Sequence, residues 1–336
     1  MTILVTGAAG FIGFHTASAL LARGETVVGI DSLNDYYSVA LKQARLATLR
    51  AAHGDRFRFH QIDIAENDAL LTTLAGCDFD RIVHLAAQAG VRHSIEHPGD
   101  YVRANLVGHA NMVELARRRG VRHLVYASSS SVYGGSTTLP FRVEDRADHQ
   151  LSLYGATKRA DELISESYAS LYRLPATGLR FFTVYGPWGR PDMAMWLFAD
   201  AILAGRPLTL FNHGAMSRDF TFVEDIVAGL IACLDHPPAD DGSEKPGGSR
   251  ATHAVYNIGN HRSEKLTEVV RLIEQSLGRR AEVQFAAMQP GDTADTFADI
   301  GPMQRDFGFA PRTTIAEGIP RFIDWFRDYH ARVAAA

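Results

Sequence analysis

The stretch VTGAAGFIGFHTASALL, residues 5–21, decides the fold. It leaves the apolar run TILVT, passes through Gly7, Gly10 and Gly13, and continues as a segment long enough for a helix. A strand that turns this tightly into a helix needs residues without a Cβ in three places: in the turn itself, where backbone amides approach a pyrophosphate, and where helix packs on strand. The helix N-terminus then faces the phosphate charge. The spacing, G-x-x-G-x-x-G, differs by one residue from G-x-G-x-x-G. Glycines alone would serve any tight turn, so the weight rests on the strand before them and the helix after.

The same rhythm continues outward. TILVT, TVVGI, RFRFHQI, RIVHLAA and HLVYASS read as strands, each followed by a helix-length stretch, with ATGLRFF (176–182) closing the series. The runs are apolar throughout instead of alternating, as in strands covered on both faces. This is the pattern of an α/β, Rossmann-type doubly wound parallel sheet. Asp31, at the end of the second strand, lies 18 residues past Gly13. A carboxylate there accepts from the adenosine ribose hydroxyls and repels a 2′-phosphate, so the expected cofactor is NAD and not NADP. Lys42 and Arg45 are read as solvated helix residues.

Composition narrows the field. A chain of 336 residues, 46% hydrophobic and 21% charged, is an ordinary globular protein of one large domain or two joined lobes. A net charge of −4 argues against non-specific nucleic-acid binding. Cys77 and Cys233 form no short-spaced pair, and the 14 histidines show neither HExxH nor a CxxC array, so no metal site is expected. The opening MTILVTG lacks the look of a signal peptide, and no apolar run approaches the roughly 20 residues of a membrane span, which points to a cytoplasmic protein.

After residue 182 the rhythm breaks. A Gly/Pro-rich loop (VYGPWGRPDM), a helix (AMWLFADAILAG), a short strand (LTLF) and irregularly spaced elements suggest a smaller C-terminal α/β substrate lobe. The expected division is 1–182 plus about 222–258 for a cofactor-binding domain, and 183–221 plus 259–336 for the substrate lobe. PPADDGSEKPGGSR, residues 237–250, reads as an exposed loop.

SLYGATKRADEL, residues 152–163, sets Tyr154 and Lys158 four positions apart at a helix start, just after the fifth strand, whose end carries the hydroxyl run YASSSSVYGG. Spacing alone puts any i, i+4 pair on one helix face. Beside a dinucleotide site the pair acquires chemistry. A phenol with a pKa of about 10 is a poor base, but a nearby ammonium and a cationic nicotinamide both favour the phenolate. Lowering it by three units takes about 4 kcal/mol. A serine hydroxyl then shares the substrate proton and orients it.

With VTGAAGFIG, DSLNDYY, HLAAQAGVRHS, YASSSSVYG, SLYGATK, LRFFTVYGPWGRPDM, RDFTFVEDI and PGDTADTFADI, the chain resembles the extended short-chain dehydrogenase/reductase superfamily over nearly its whole length. Within it, DSLNDYY and FFTVYGPWGRPDM are similar to the NAD-dependent UDP-glucuronate 4-epimerases. The resemblance implies Tyr154 and Lys158 as catalytic residues with Ser129 as the hydroxyl partner, Ser128 and Ser130 being neighbours in register. It implies a cofactor set of Gly7, Gly10, Phe11, Ile12, Gly13, Asp31, Asp63, Ile64, Ala86 and Asn105, together with Tyr154 and Lys158. It also implies a substrate set of Ser129, Ser130, Thr183, Arg190, Arg218 and Asp292. Thr183 would contact a uronate carboxylate, where galactose-type epimerases carry asparagine. Arg218 would hold the diphosphate, and Asp292 the uridine ribose, while Gln289 stands where some relatives have a second phosphate arginine. The plainer readings are a strand-end residue for Thr183, a surface loop charge for Arg190 and a turn residue for Asp292.

The implied reaction is transient oxidation at carbon 4 of UDP-glucuronate and return of the hydride to the other face, giving UDP-galacturonate. Related dehydratases use an acid and a base where this chain has Ser130 and Ser131, and hydroxyls substitute poorly for them. The rivals are a decarboxylase making a UDP-pentose, an epimerase of UDP-glucose and UDP-galactose, and a non-catalytic NAD-sensing protein. Residues 100–119 and 155–172 carry apolar side chains on more than one face, and relatives pair these helices about a two-fold axis, so a homodimer is expected.

Overall fold

The computed structural model describes residues 1–289 and 293–335. Seven strands form one parallel sheet: β1 (Thr2–Thr6), β2 (Thr26–Asp31), β3 (Phe57–Gln61), β4 (Arg81–His84), β5 (His123–Ser129), β6 (Ala176–Phe181) and β7 (His253–Ile258). Their spatial order is β7-β6-β5-β4-β1-β2-β3. The order reverses between β1 and β4, which opens a crevice at the carboxyl ends of the strands.

Helices α1 (Phe11–Ala22), α2 (Val39–His53), α3 (Asn67–Leu74), α4 (Gly108–Arg119) and α5 (Leu153–Tyr172) follow β1 to β5 in turn. One face of the sheet packs on α1 and on the helix Val223–Asp235 through Phe14, Leu20, Leu21, Ile226 and Leu230. The other packs on α3 and α4 through Leu70, Leu74, Met112 and Leu115. Covering both faces explains why β1, β4 and β6 are buried almost end to end.

A third core lies beyond the sheet. Trp196, Phe220, Phe222, Leu266, Ile273, Phe322 and Phe326 close around one another, with Leu41 reaching in from α2. It joins the helices Ala194–Leu203, Leu266–Leu277 and Ile315–Ala335 to short two-stranded ribbons.

Two expected elements differ in instructive ways. The fourth strand was expected to reach Ala87 but ends at His84, because Leu85 and Ala86 give their N–H groups to the Thr6 hydroxyl (3.1 and 3.0 Å) and swing out along the crevice. The helix expected over 100–119 is interrupted: between the α-helical turn Pro98–Tyr101 and the regular run from Gly108, Val102–Val107 widens into a π-helical turn within which Asn105 is buried. Both departures serve the crevice.

Candidate active site

The crevice between sheet and third core is a cleft of about 1000 Å³. At its floor the glycine turn is as tight as the sequence requires. Gly7 sits at φ +69°, and a Cβ there would lie 2.9 Å from the Ala86 nitrogen; a Cβ on Gly13 would lie 2.0 Å from the Gly7 carbonyl oxygen. Alanine fits at neither position. Gly7, Gly10, Phe11, Ile12 and Gly13 all line the cleft.

Asp31 lines it too. Its two oxygens accept from the Ala9 and Leu33 N–H groups (3.1 and 2.9 Å), and burial pushes its carboxyl up against the pull of those bonds and of Lys42. Each oxygen retains a lone pair for a further donor, as a ribose hydroxyl requires. The glycine cradle and this buried acceptor fit a dinucleotide. Asp63, Ile64 and Ala86 complete that wall, with Asp63 accepting from Arg103 (2.7 Å).

Lys42 and Arg45 are not solvated. Both are buried on the same stripe of α2 as Leu41, Leu46 and Leu49. The Lys42 ammonium donates to the Asn34 carbonyl and side-chain oxygens (2.6 Å each) at the edge of the cleft. The Arg45 guanidinium donates to Ala9 O (2.8 Å) and Trp188 O (2.6 Å), tying the glycine turn to the loop that begins the third core. The apolar stripe shows which face of α2 turns inward, but the carbonyls that receive Arg45 come from the glycine turn and from the distant Trp188 loop.

Asn105 is buried but does not line the cleft. Its side chain accepts from the Gln88 N–H (2.8 Å) and donates to Gln88 O (3.0 Å) and to the Thr157 hydroxyl (2.9 Å). It therefore fixes the loop after β4 against α5 from behind.

α5 begins under a serine cap, with the Ser152 hydroxyl accepting from the Gly155 N–H (3.0 Å). A Cβ on Gly155 would lie 2.6 Å from Ser131 O, so glycine lets the helix start abut the serine turn. Tyr154, Lys158, Ser129 and Ser130 thereby face one cleft. The Tyr154 ring packs edge-on against Tyr101 at 6.0 Å.

The serines of the run differ in what they hold, although Ser128 to Ser131 all line the cleft. The Ser128 hydroxyl is committed to Glu162 (2.6 Å), whereas the Ser129 oxygen accepts the Ser131 N–H (3.1 Å) at the cleft surface. Behind Ser128, Glu162 receives Arg180 bidentately (2.8 and 2.9 Å) and Arg159 (2.6 Å). Burial would raise its carboxyl, but the guanidinium of Arg180 and these hydrogen bonds hold it down at about 2. Lys158 donates to Asp161 (2.6 Å), and burial pushes Asp161 up to about 6 despite that partner.

Across the cleft stand Thr183, Arg190 and Arg218. Thr183 opens the short strand Thr183–Tyr185 and is half-buried, so the strand-end reading and the cleft reading both describe it. Arg190 is no loose surface charge: it pairs with Asp192 (3.0 Å), which also accepts from the Tyr36 hydroxyl (3.1 Å). One Arg218 nitrogen is anchored on Ser217 O and Ala294 O (2.9 Å each). Asp292 lies outside the described residues, and Gln289 does not line the cleft. The sequence reading did not single out Gln88, Arg92 or Tyr36, which also line it; Gln88 and Arg92 lie on the loop leaving β4 at the switch point and Tyr36 on the loop leaving β2, and a place past a strand's carboxyl end was the one signal available for them.

Comparison with known proteins adds to this geometry. The chain is 43% identical over 338 residues to a probable UDP-glucuronate 4-epimerase of Rhizobium meliloti, covering 99% of this chain and 98% of that one. Its fold matches the solved structure of UDP-glucuronic acid 4-epimerase from Bacillus cereus in complex with UDP-glucuronic acid and NAD, with a TM-score of 0.84 and 31% identity over 98% and 100% of the two chains. It also matches UDP-glucose 4-epimerase from Thermotoga maritima with UDP-glucose, at a TM-score of 0.86 and 25% identity over 98% and 100%. The glycine turn, the buried acidic residue after β2 and a family match running from residue 3 to residue 259 agree: the chain belongs to the NAD dependent epimerase/dehydratase family.

Proposed function

We propose that this protein is an isomerase that interconverts UDP-glucuronate and UDP-galacturonate, using NAD and a transient 4-keto sugar. The observation that carries this reading is the meeting, in one cleft, of the Tyr154–Lys158–Ser129 corner with the glycine cradle and with Thr183 and Arg190. Full-length similarity to uronate epimerases supports the acidic sugar.

NAD, when bound, supplies the hydride acceptor and donor at the sugar's carbon 4. Tyr154 takes the proton of the carbon-4 hydroxyl and later returns it. Lys158 contributes positive charge beside it, and the Ser129 hydroxyl orients the reacting oxygen. The keto sugar turns its other face before it is reduced, which inverts the centre without net redox change. A 4-keto uronate is a β-keto acid prone to losing carbon dioxide. Thr183 and the serine run, with Arg190, hold its carboxylate in an orientation that resists cleavage, and Arg218 engages the diphosphate. At Ser130 and Ser131 there is no acid–base pair for elimination, which disfavours dehydration. Asp292 remains assigned to the uridine ribose.

In this reading residues 1–182 with about 222–258 bind NAD, and 183–221 with 259–336 bind the UDP-sugar. No described helix is long and apolar enough to cross a membrane. Two buried free thiols suit a reducing compartment, and a cytoplasmic location belongs to the proposal. So does a homodimer, supported by the exposed Val102, Val107, Leu163, Leu171 and Tyr172 on the segment leading into α4 and on α5.

The test is to incubate purified protein with UDP-glucuronate, without added NAD, and follow the sugar by proton NMR and mass spectrometry. UDP-galacturonate at unchanged mass is expected. Loss of the mass of carbon dioxide would move the assignment to a decarboxylase, and turnover of UDP-glucose alone would move it to a neutral-sugar epimerase.

A further inference from the structure

At the rim of the cleft, the loop after β4 makes a single helical turn, His93–Glu96, capped by His97, whose N–H returns to the His93 carbonyl (2.9 Å). Positions i, i+3 and i+4 of such a turn share one face. They are His93, Glu96 and His97, and one donor atom from each lies within 4.8 Å of the other two. Among the described residues this is the single group of that kind. Its spacing, H-x-x-E-H, is the reverse of the HExxH order sought in the sequence, which is why reading for metal ligands passed over it.

The turn is held in shape. The Ser94 hydroxyl donates to Val91 O (2.6 Å), the Ile95 N–H donates to Arg92 O (3.0 Å), and Pro98 follows directly. The His93 ring packs against the His97 ring at 4.3 Å and against Tyr36 at 4.7 Å. An Asp100 carboxylate oxygen stands 3.7 Å from His93 Nε2, within ion-pair reach of the imidazole though outside hydrogen-bond distance. His93 and Glu96 both line the cleft, beside Arg92 and the Tyr36–Asp192–Arg190 cluster.

We propose that His93, Glu96 and His97 form a binding site for a late first-row divalent cation on the rim of the cleft. Two imidazoles and one carboxylate are the ligand set of zinc, cobalt and nickel, and they match magnesium or calcium poorly, since those ions take oxygen ligands. Three protein ligands leave at least one coordination position open to water or to an anionic group entering the cleft. The site is independent of which sugar the cleft accepts.

The experiment uses untagged protein with its resident NAD, treated with chelator and dialysed. Zn²⁺ binding is measured by calorimetry, and Co²⁺ binding by its visible absorption. The wild type is expected to take up one equivalent of each at this site. His97→Gln, a change at an exposed side chain, is expected to weaken that uptake at least ~10-fold, the scale on which losing even an outer-shell partner acts. The double change His93→Gln with His97→Gln is expected to abolish it while NAD content stays the same. Absence of saturable Co²⁺ or Zn²⁺ binding by the wild type would overturn the proposal. So would binding by His97→Gln that matches the wild type, because the other histidines would then be the ligands.

Discussion

In the proposed reaction, two positions at the start of α5 carry most of the chemistry. Tyr154 follows a serine-capped turn and Lys158 lies one turn further on, buried against Asp161 (2.6 Å). If Tyr154 moves the carbon-4 proton, Tyr154→Phe lowers turnover by ~10²–10⁴-fold. Affinity for the UDP-sugar, measured by calorimetry, stays close to that of the wild type, since the phenyl ring still fills its place against Tyr101. Near-normal activity in that variant would remove the tyrosine from the role of base. Thr183 offers a second test at this scale. Thr183→Val keeps the shape and deletes the hydroxyl, so KM for UDP-glucuronate should rise while turnover of UDP-glucose changes little. Equal effects on both sugars would refute a carboxylate contact.

At the scale of elements, α5 is pinned to β6 by the buried Glu162–Arg180 pair, which also fixes Ser128 and so the register of the serine run. Glu162→Gln leaves the Arg180 charge without its counter-ion and should cost about 3–5 kcal/mol at neutral pH, read from urea midpoints. The sign with pH follows from a carboxyl held at about 2, below its ordinary value. The pair's contribution is fully present above the unfolded carboxyl range, near pH 4.5, and disappears as pH falls toward 2. The gap between wild type and variant should narrow over that window, and a gap independent of pH would contradict it. Such pairings mark the limit of what the sequence discloses. The glycine turn, Asp31, and the i, i+4 relation of Tyr154 and Lys158 are local, so spacing and residue type suffice to find them. Arg45 is different, because its burial depends on the loop at Trp188 docking more than a hundred residues away in sequence. Asn105 was legible as a residue near the site, but a π-helical turn in α4's approach sets it behind the Gln88 loop instead of in the cleft. The His93 turn escaped because its ligand order was not the one sought.

For the whole molecule, the sheet supplies one wall of the cleft and the third core the other, and in the proposed reading cofactor and sugar meet at the switch point between β1 and β4. Leu163, Leu171 and Tyr172 stand out from α5, and Val102 and Val107 from the segment before α4, an apolar surface suited to a second copy of the chain. Light scattering should give the mass of a dimer at micromolar concentration, and Leu163→Asp should shift it toward monomer; a monomeric wild type would refute the pairing. In the proposed reaction the sugar is oxidised and reduced again within one cleft. UDP-glucuronate carrying deuterium at carbon 4 tests it most directly, with no NAD added and the product followed by NMR and mass spectrometry. UDP-galacturonate that keeps the deuterium at carbon 4 is expected, because the hydride removed from that carbon is the one returned to it. Deuterium lost to solvent with the centre inverted would contradict hydride transfer, since inversion would then proceed by proton abstraction from carbon.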